Sequence, residues 1–423
     1  MIRTDIASLE LRDERVWADR LRQFNLVLFA LLPVLLLFAR GAADAAASII
    51  GVSYLAVLIS GRRWDITRHP LLIVLLIIWL VLNILVSPLA VSPAASFSRS
   101  LPWLRFALLF AAAMTWLFRS RSDLKIVIGL WSACLAFSIV DGLVQLIRGT
   151  SLLGIPMYLD VRITGPLDRP NIGMFVARIG FPLLPAALLL LPRRVLWPTV
   201  AIVLAALVGL IFILLTGERA AAMLAMLAII TAACGSVLVF PRYRLYGLAA
   251  IGGVAGLLTL VALSSERLMI RVLQFGIIIR NIRDSHYGEL FSVGLDMWLQ
   301  NPLLGTGLKT FDLVCNAQFL QRMSDGCPQH PHNVYIEWLA SSGIVGLAGY
   351  LVFLLLLLLA AWPLLRGNTM TRLIGLLVAG SLVLLLFPLT ASQSIFSNWP
   401  ALVFWTSLSM TFAVVRLALK EDD

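Results

Sequence analysis

The stretch HPHNVYIEWLASSGIVGL (330–347) sets two of the chain's four histidines, His330 and His332, against a long apolar run. An imidazole ordinarily titrates near pH 6.5, so His332 can take a proton from a hydroxyl close to neutral pH, and apolar surroundings favour its neutral, basic form further. The competing job for His332 is to cap or anchor a helix at a membrane interface. Arginines are the second chemical feature. Arg148, Arg162, Arg169 and Arg219, the last in TGERAA (216–221), stand in short connections otherwise sparse in charge. An arginine at such a place is either a snorkelling anchor or functional, because an unpaired charge at mid-membrane costs roughly 2.5 to 3.5 kcal/mol.

The elements that must hold these residues are set by composition. Sixty per cent of the 423 residues are hydrophobic and only 13% are charged, with a mean hydropathy of +0.95, so hydrocarbon must solvate much of the surface. The chain reads as an all-α polytopic membrane protein. Apolar windows of about 20 residues fall near 24–40, 43–60, 70–87, 101–118, 124–147, 172–191, 195–215, 220–240, 245–264, 343–362, 373–390 and 400–418. The second window is the least apolar. The first is followed by many others and lacks a convincing cleavage site, so it is expected to be retained rather than removed as a signal peptide.

Charge orients the bundle. Arg3, Arg12, Arg15, Arg20 and Arg22 precede the first window, and every second short connection is basic: Arg62, Arg63 and Arg68, then Arg119, Arg121 and Lys125, then Arg193 and Arg194, then Arg242 and Arg244, then Arg366 and Arg372. This alternation predicts an even number of spans with both termini in the cytoplasm. The net charge of +11 is then a topology signal and gives no reason to invoke nucleic acid.

Three regions follow: an N-terminal bundle (1–264), one long loop (265–342) and C-terminal spans (343–423). A loop of that length between spans is a functional candidate. Within it, HYGELFSVGLDMWLQN (286–301) sets Leu290, Val293, Met297 and Trp298 on one helical stripe stopped by Asn301-Pro302, an amphipathic helix over the membrane face. The loop also holds Cys315 and Cys327. On an oxidising side of the membrane they would pair; a zinc site with His330 and His332 is the competing reading.

The His-Asn segment 330–347 with its spaced Gly-x-x-Gly, TGPLDRPNIG (164–173), TGERAA, and NPLLGTGLKTF (301–311) occur in an order that resembles the O-antigen ligase family and its related polysaccharide polymerases. The resemblance implies a GT-C-like membrane fold of about twelve spans with a periplasmic catalytic loop. It makes His332 the catalytic histidine and Arg219 the arginine of the helix start. A further arginine is expected near 286–288, where the sequence reads His-Tyr-Gly; Arg283, Arg280 or His286 would stand in for it. Glu218 occupies a place where serine is common. Asn333, Tyr335, Arg162 and Arg169 become candidates for contacts to substrate.

Such enzymes move a glycan from undecaprenyl diphosphate onto a hydroxyl, here of lipid A-core, at the periplasmic face of the bacterial inner membrane. Arginine suits the leaving diphosphate, since it stays charged and presents a planar fork to phosphate oxygens. No Asp-x-Asp pair stands in the outward connections, so neither metal nor cofactor is expected. A polymerase whose acceptor is another lipid-linked glycan is the near alternative. A polysaccharide transporter is the distant one, although internal repeats and mid-membrane ionisable residues are not evident.

Overall fold

The computed structural model describes residues 6–7, 9–11, 15–191, 196–264 and 285–421. Among them every regular element is helical, as a chain in hydrocarbon requires, because only closed hydrogen bonding within each segment satisfies the backbone there. In chain order the helices are α1 (Val16–Phe38), α2 (Arg40–Ser60), α3 (Pro70–Val81), α4 (Pro93–Ala112), α5 (Arg121–Arg148), α6 (Ile172–Gly180), α7 (Leu183–Leu190), α8 (Leu196–Thr216), α9 (Arg219–Val239), α10 (Arg244–Ser264), α11 (His286–Gln300), α12 (Phe311–Gln318), α13 (Val334–Ala361), α14 (Thr369–Leu386) and α15 (Asn398–Lys420). Nine helices among the described residues are long and apolar enough to cross a membrane, α6 and α7 counting as one, and Pro70–Val86 and Val200–Thr216 are shorter apolar helices. Each of the twelve apolar windows falls on a helix. The chain is an all-helical polytopic membrane protein.

The element boundaries have local causes. A capping box between Ser120 and Asp123 opens α5, and Gly149 closes it at φ +77°. The weakly apolar second window forms α2 because its small residues Ala43, Ala47 and Gly51 are buried, which lets neighbouring backbones approach closely. The fourth window begins eight residues early, at Pro93 rather than 101. Two polar residues of that early part are buried and paired: Ser96 and Ser100 both bond the Ser87 hydroxyl at 2.8 Å. At the centre, α15 is buried from Ala401 to Ala418, and the Trp405 ring packs against Trp103 and Phe353 at 5.5 and 5.8 Å.

The bundle has two polar ends. One gathers the basic connections and the C-terminus: Arg22 and Arg119 meet Asp123 and Asp19, and Lys420 meets Glu10. The other carries the segments 149–171, 301–333 and 387–397. There α11 lays Leu290, Val293 and Met297 on Phe311, Val314 and Ala340. Trp298 leaves that stripe and donates its indole N–H to Pro302 O at 3.0 Å; Gly294 takes the place, with Ile336 so close that any Cβ would collide.

The helix bearing the His-Asn segment is broken. Gly343 has φ +62° and ψ −165° inside α13, a conformation essentially confined to glycine. The segment after Asn301 supplies the backbone partners that the break frees. Ile344 N donates to Pro302 O at 2.9 Å, Thr306 N to Ala340 O at 2.8 Å and Gly307 N to Ser341 O at 3.0 Å. NPLLGTGLKTF and Gly343 are thus one packing unit, which sets 334–342 apart from the apolar run that follows.

Candidate active site

Asn333 is the N-cap of α13: its side-chain oxygen accepts from Tyr335 N and Ile336 N at 3.0 and 3.1 Å. Its amide nitrogen donates to Pro388 O at 2.8 Å and Thr390 O at 3.3 Å. The Tyr335 hydroxyl donates to Leu386 O, and Glu337, buried, accepts from Ser394 Oγ and Ile395 N. The segment 387–397 is therefore a strap clamped to the first turn of α13. Asn333 and Tyr335, expected to contact substrate, have these polar atoms engaged inside the protein.

The strap also shapes His332. That residue sits at φ +52°, in a left-handed region costly for a side chain with a Cβ. Ser392 N donates to His332 O at 2.7 Å, and Ser392 Oγ accepts from Val334 N at 3.0 Å. From the other side, His332 N donates to His330 Nδ1 at 3.0 Å. A neutral His330 in this contact carries its proton on Nε2.

Two histidines meet here, with a third, His286, within electrostatic reach of His332. The His330 and His332 rings lie 4.3 Å apart, Tyr287 stands edge-on to His332 at 6.2 Å, and His286 lies beside Tyr287 at 6.0 Å. His286 Nδ1 is 3.5 Å from Asp325 Oδ2. Burial pushes His330 down to about 3, helped by the neighbouring His332. His332 is held below its ordinary value, first by burial and then by His286, with the Ser392 contact opposing. Both effects keep His332 neutral, the form that can accept a proton.

The arginine end is built around α6. Glu218 accepts from Gly173 N at 2.5 Å and Met174 N at 3.0 Å, so its carboxylate closes the N-terminus of α6, where a helix favours negative charge. Burial raises Glu218 to about 7, against those two N–H groups and the charge of Arg162. Arg219 follows as the first residue of α9, half-buried, and Arg162 lies within electrostatic reach of Glu218. Arg169 is exposed. The loop carrying both is shaped by buried residues of α5: Asp141 accepts from Leu152 N at 2.6 Å, and Gln145 accepts from Thr164 N and Gly165 N at 2.8 and 2.9 Å. Arg280 and Arg283 lie outside the described residues.

The two ends are joined. Gln393, next to Ser392 in the strap, donates to Asn171 Oδ1 at 2.8 Å, and Asn171 immediately precedes α6. Three hydrogen bonds, Ser392 N to His332 O, Gln393 to Asn171 and Gly173 N to Glu218, joined by short stretches of backbone, thus form a path from His332 to Glu218 and Arg219. Sequence reading missed its middle. The one signal for Glu218 was its departure from the family's serine, and the strap carries no periodic pattern. Ahead of the histidines, Cys315 and Cys327 form a disulfide with Cα atoms 5.8 Å apart, which removes both thiols from any zinc site.

A search of curated proteins finds no match. Residues 203–351 match the family model described as O-antigen ligase, a segment that contains Arg219, His286, His330, His332, Asn333 and Tyr335. The match supports the resemblance carried by the His-Asn segment and TGERAA: over residues 203–351 this chain is similar to the O-antigen ligase family.

Proposed function

We propose that this protein transfers a glycan from undecaprenyl diphosphate to a hydroxyl of lipid A-core at the periplasmic face of the bacterial inner membrane. The observation that carries the reading is His332, set in a left-handed conformation, with burial holding it below its ordinary pKa, at one end of a path whose other end is Arg219. His332 takes the proton of the acceptor hydroxyl as the oxygen attacks the anomeric carbon. The bond from that carbon to the phosphate oxygen breaks, and the electron pair leaves with the diphosphate, so the configuration inverts. Arg219 and a loop cation, Arg283, Arg280 or His286, hold the departing charge. The disulfide supports placing this end on the oxidising side of the membrane.

The test uses purified protein, undecaprenyl-diphosphate-linked glycan, lipid A-core and a chelator, with no metal or nucleotide added. Glycan is expected on the lipid A-core. Arg219→Lys should lose roughly a hundredfold or more in rate, nearly as much as Arg219→Ala, because a point charge cannot replace a planar fork. Full activity in folded Arg219→Lys returns Arg219 to an anchoring role. Growth of the lipid-linked glycan with lipid A-core unmodified makes the protein a polymerase.

A further inference from the structure

Arg178 lies in α6 and is 3% exposed. No carboxylate among the described residues pairs with it, and its Nε has no hydrogen-bond partner. Its Nη1 makes a single long contact, 3.5 Å, to Gln393 Oε1. Tyr350 is within electrostatic reach but is an uncharged phenol at neutral pH. Glu337, which also acts on Tyr350, has its oxygens committed to Ser394 Oγ and Ile395 N. A buried intramembrane guanidinium ordinarily pairs with an opposite charge or with backbone carbonyls, and one whose donors are left idle is a candidate for contact with a ligand.

Its location says what that would be. Arg178 touches Gln393, the strap residue that links Asn171, next to α6, to the Ser392 contact with His332, so it lies on the connection between the cation that would hold a leaving diphosphate and the base that would serve the acceptor. We infer that Arg178 is the buried cation of an anion site between Arg219 and His332, and that its missing partner is a phosphate oxygen of a diphosphate-bearing lipid. The identity of that lipid rests on the function proposed above; the anion site rests on Arg178 and its neighbours. On binding, the phosphate oxygen replaces the long Gln393 contact and occupies the idle Nε donor, a two-point grip that an ammonium cannot reproduce.

The test is titration of inorganic pyrophosphate into the full-length protein in detergent, read by calorimetry and by the shift of the thermal unfolding midpoint. Wild type should bind, Arg178→Gln should bind at least about tenfold more weakly, and the surface control Arg322→Gln should match wild type. Gln393→Ala removes the competing contact and keeps the charge, so its affinity should equal or exceed that of wild type. Absence of pyrophosphate binding to wild type, or unchanged affinity in folded Arg178→Gln, overturns the inference. So does Gln393→Ala weakened as much as Arg178→Gln, which would mean that Arg178 acts only by holding the strap. If Arg178→Gln does not fold, Arg178→Lys and Gln393→Ala decide: the lysine variant must bind more weakly than wild type while the alanine variant does not. Because this binding needs no glycan transfer, Arg178-dependent affinity in a protein that transfers nothing refutes the ligase reading and leaves the anion site standing.

Discussion

His332 and His330 look interchangeable in HPHN, yet the structure gives them different work. His332 bears the left-handed backbone, and His330 accepts its N–H. That division was not legible in the sequence, because it depends on the backbone angle at one residue; that this segment is a place to look for a base was legible from the His-Asn pair. It has a consequence for stability. A histidine whose folded pKa lies below its unfolded value of about 6.5 keeps its full contribution above that value and loses it as pH falls, by up to about 1.4 kcal/mol per pH unit and per group. His330, pushed to about 3, should lose stability from about pH 6.5 downward, and His332 acts in the same direction. Asn at position 330 can accept the same N–H through its side-chain oxygen without titrating. His330→Asn should therefore show a smaller drop in unfolding midpoint between pH 7 and pH 5 than wild type. Identical pH slopes would remove His330 from this role.

At the scale of elements, the spans were legible because an apolar run long enough to cross a bilayer has few other uses. The strap was not, since 387–397 acts largely through backbone groups and a few small hydroxyls that have no periodicity. The break in α13 was half legible: Gly343 and Gly346 stood out, but only the fold shows that Gly343 turns the chain so that 301–307 can pair with it. A Cβ at Gly343 would meet Leu303 O at 2.2 Å, a backbone atom that cannot rotate away. Gly343→Ala should thus cost about 3 kcal/mol or more and reduce folded yield. Gly41→Ala, with nothing within 4 Å of its added carbon, should stay within about 1 kcal/mol of wild type. Equal thermal stability of the two variants would show that the break is not required by the fold.

Across the whole molecule, the alternation of basic connections separates one end, with Arg22, Arg119 and Lys420, from the end that holds His332 and Arg219. A reporter active only in the periplasm should work when inserted within 312–329 and fail when fused after Arg366. The reverse pattern would take the site away from any lipid-linked glycan on that face. The charge pattern made the separation of the two polar ends readable. Which arginines converge was not, because Arg162 reaches Glu218 only through a loop folded by Asp141 and Gln145. The proposed transfer depends on His332 as the base. The most direct measurement is the turnover of folded His332→Ala in metal-free transfer from undecaprenyl diphosphate, with the folded fraction fixed by its unfolding transition. Loss of a general base should lower the rate by about a hundredfold to ten-thousandfold, whereas near-normal turnover in the folded variant would contradict the account.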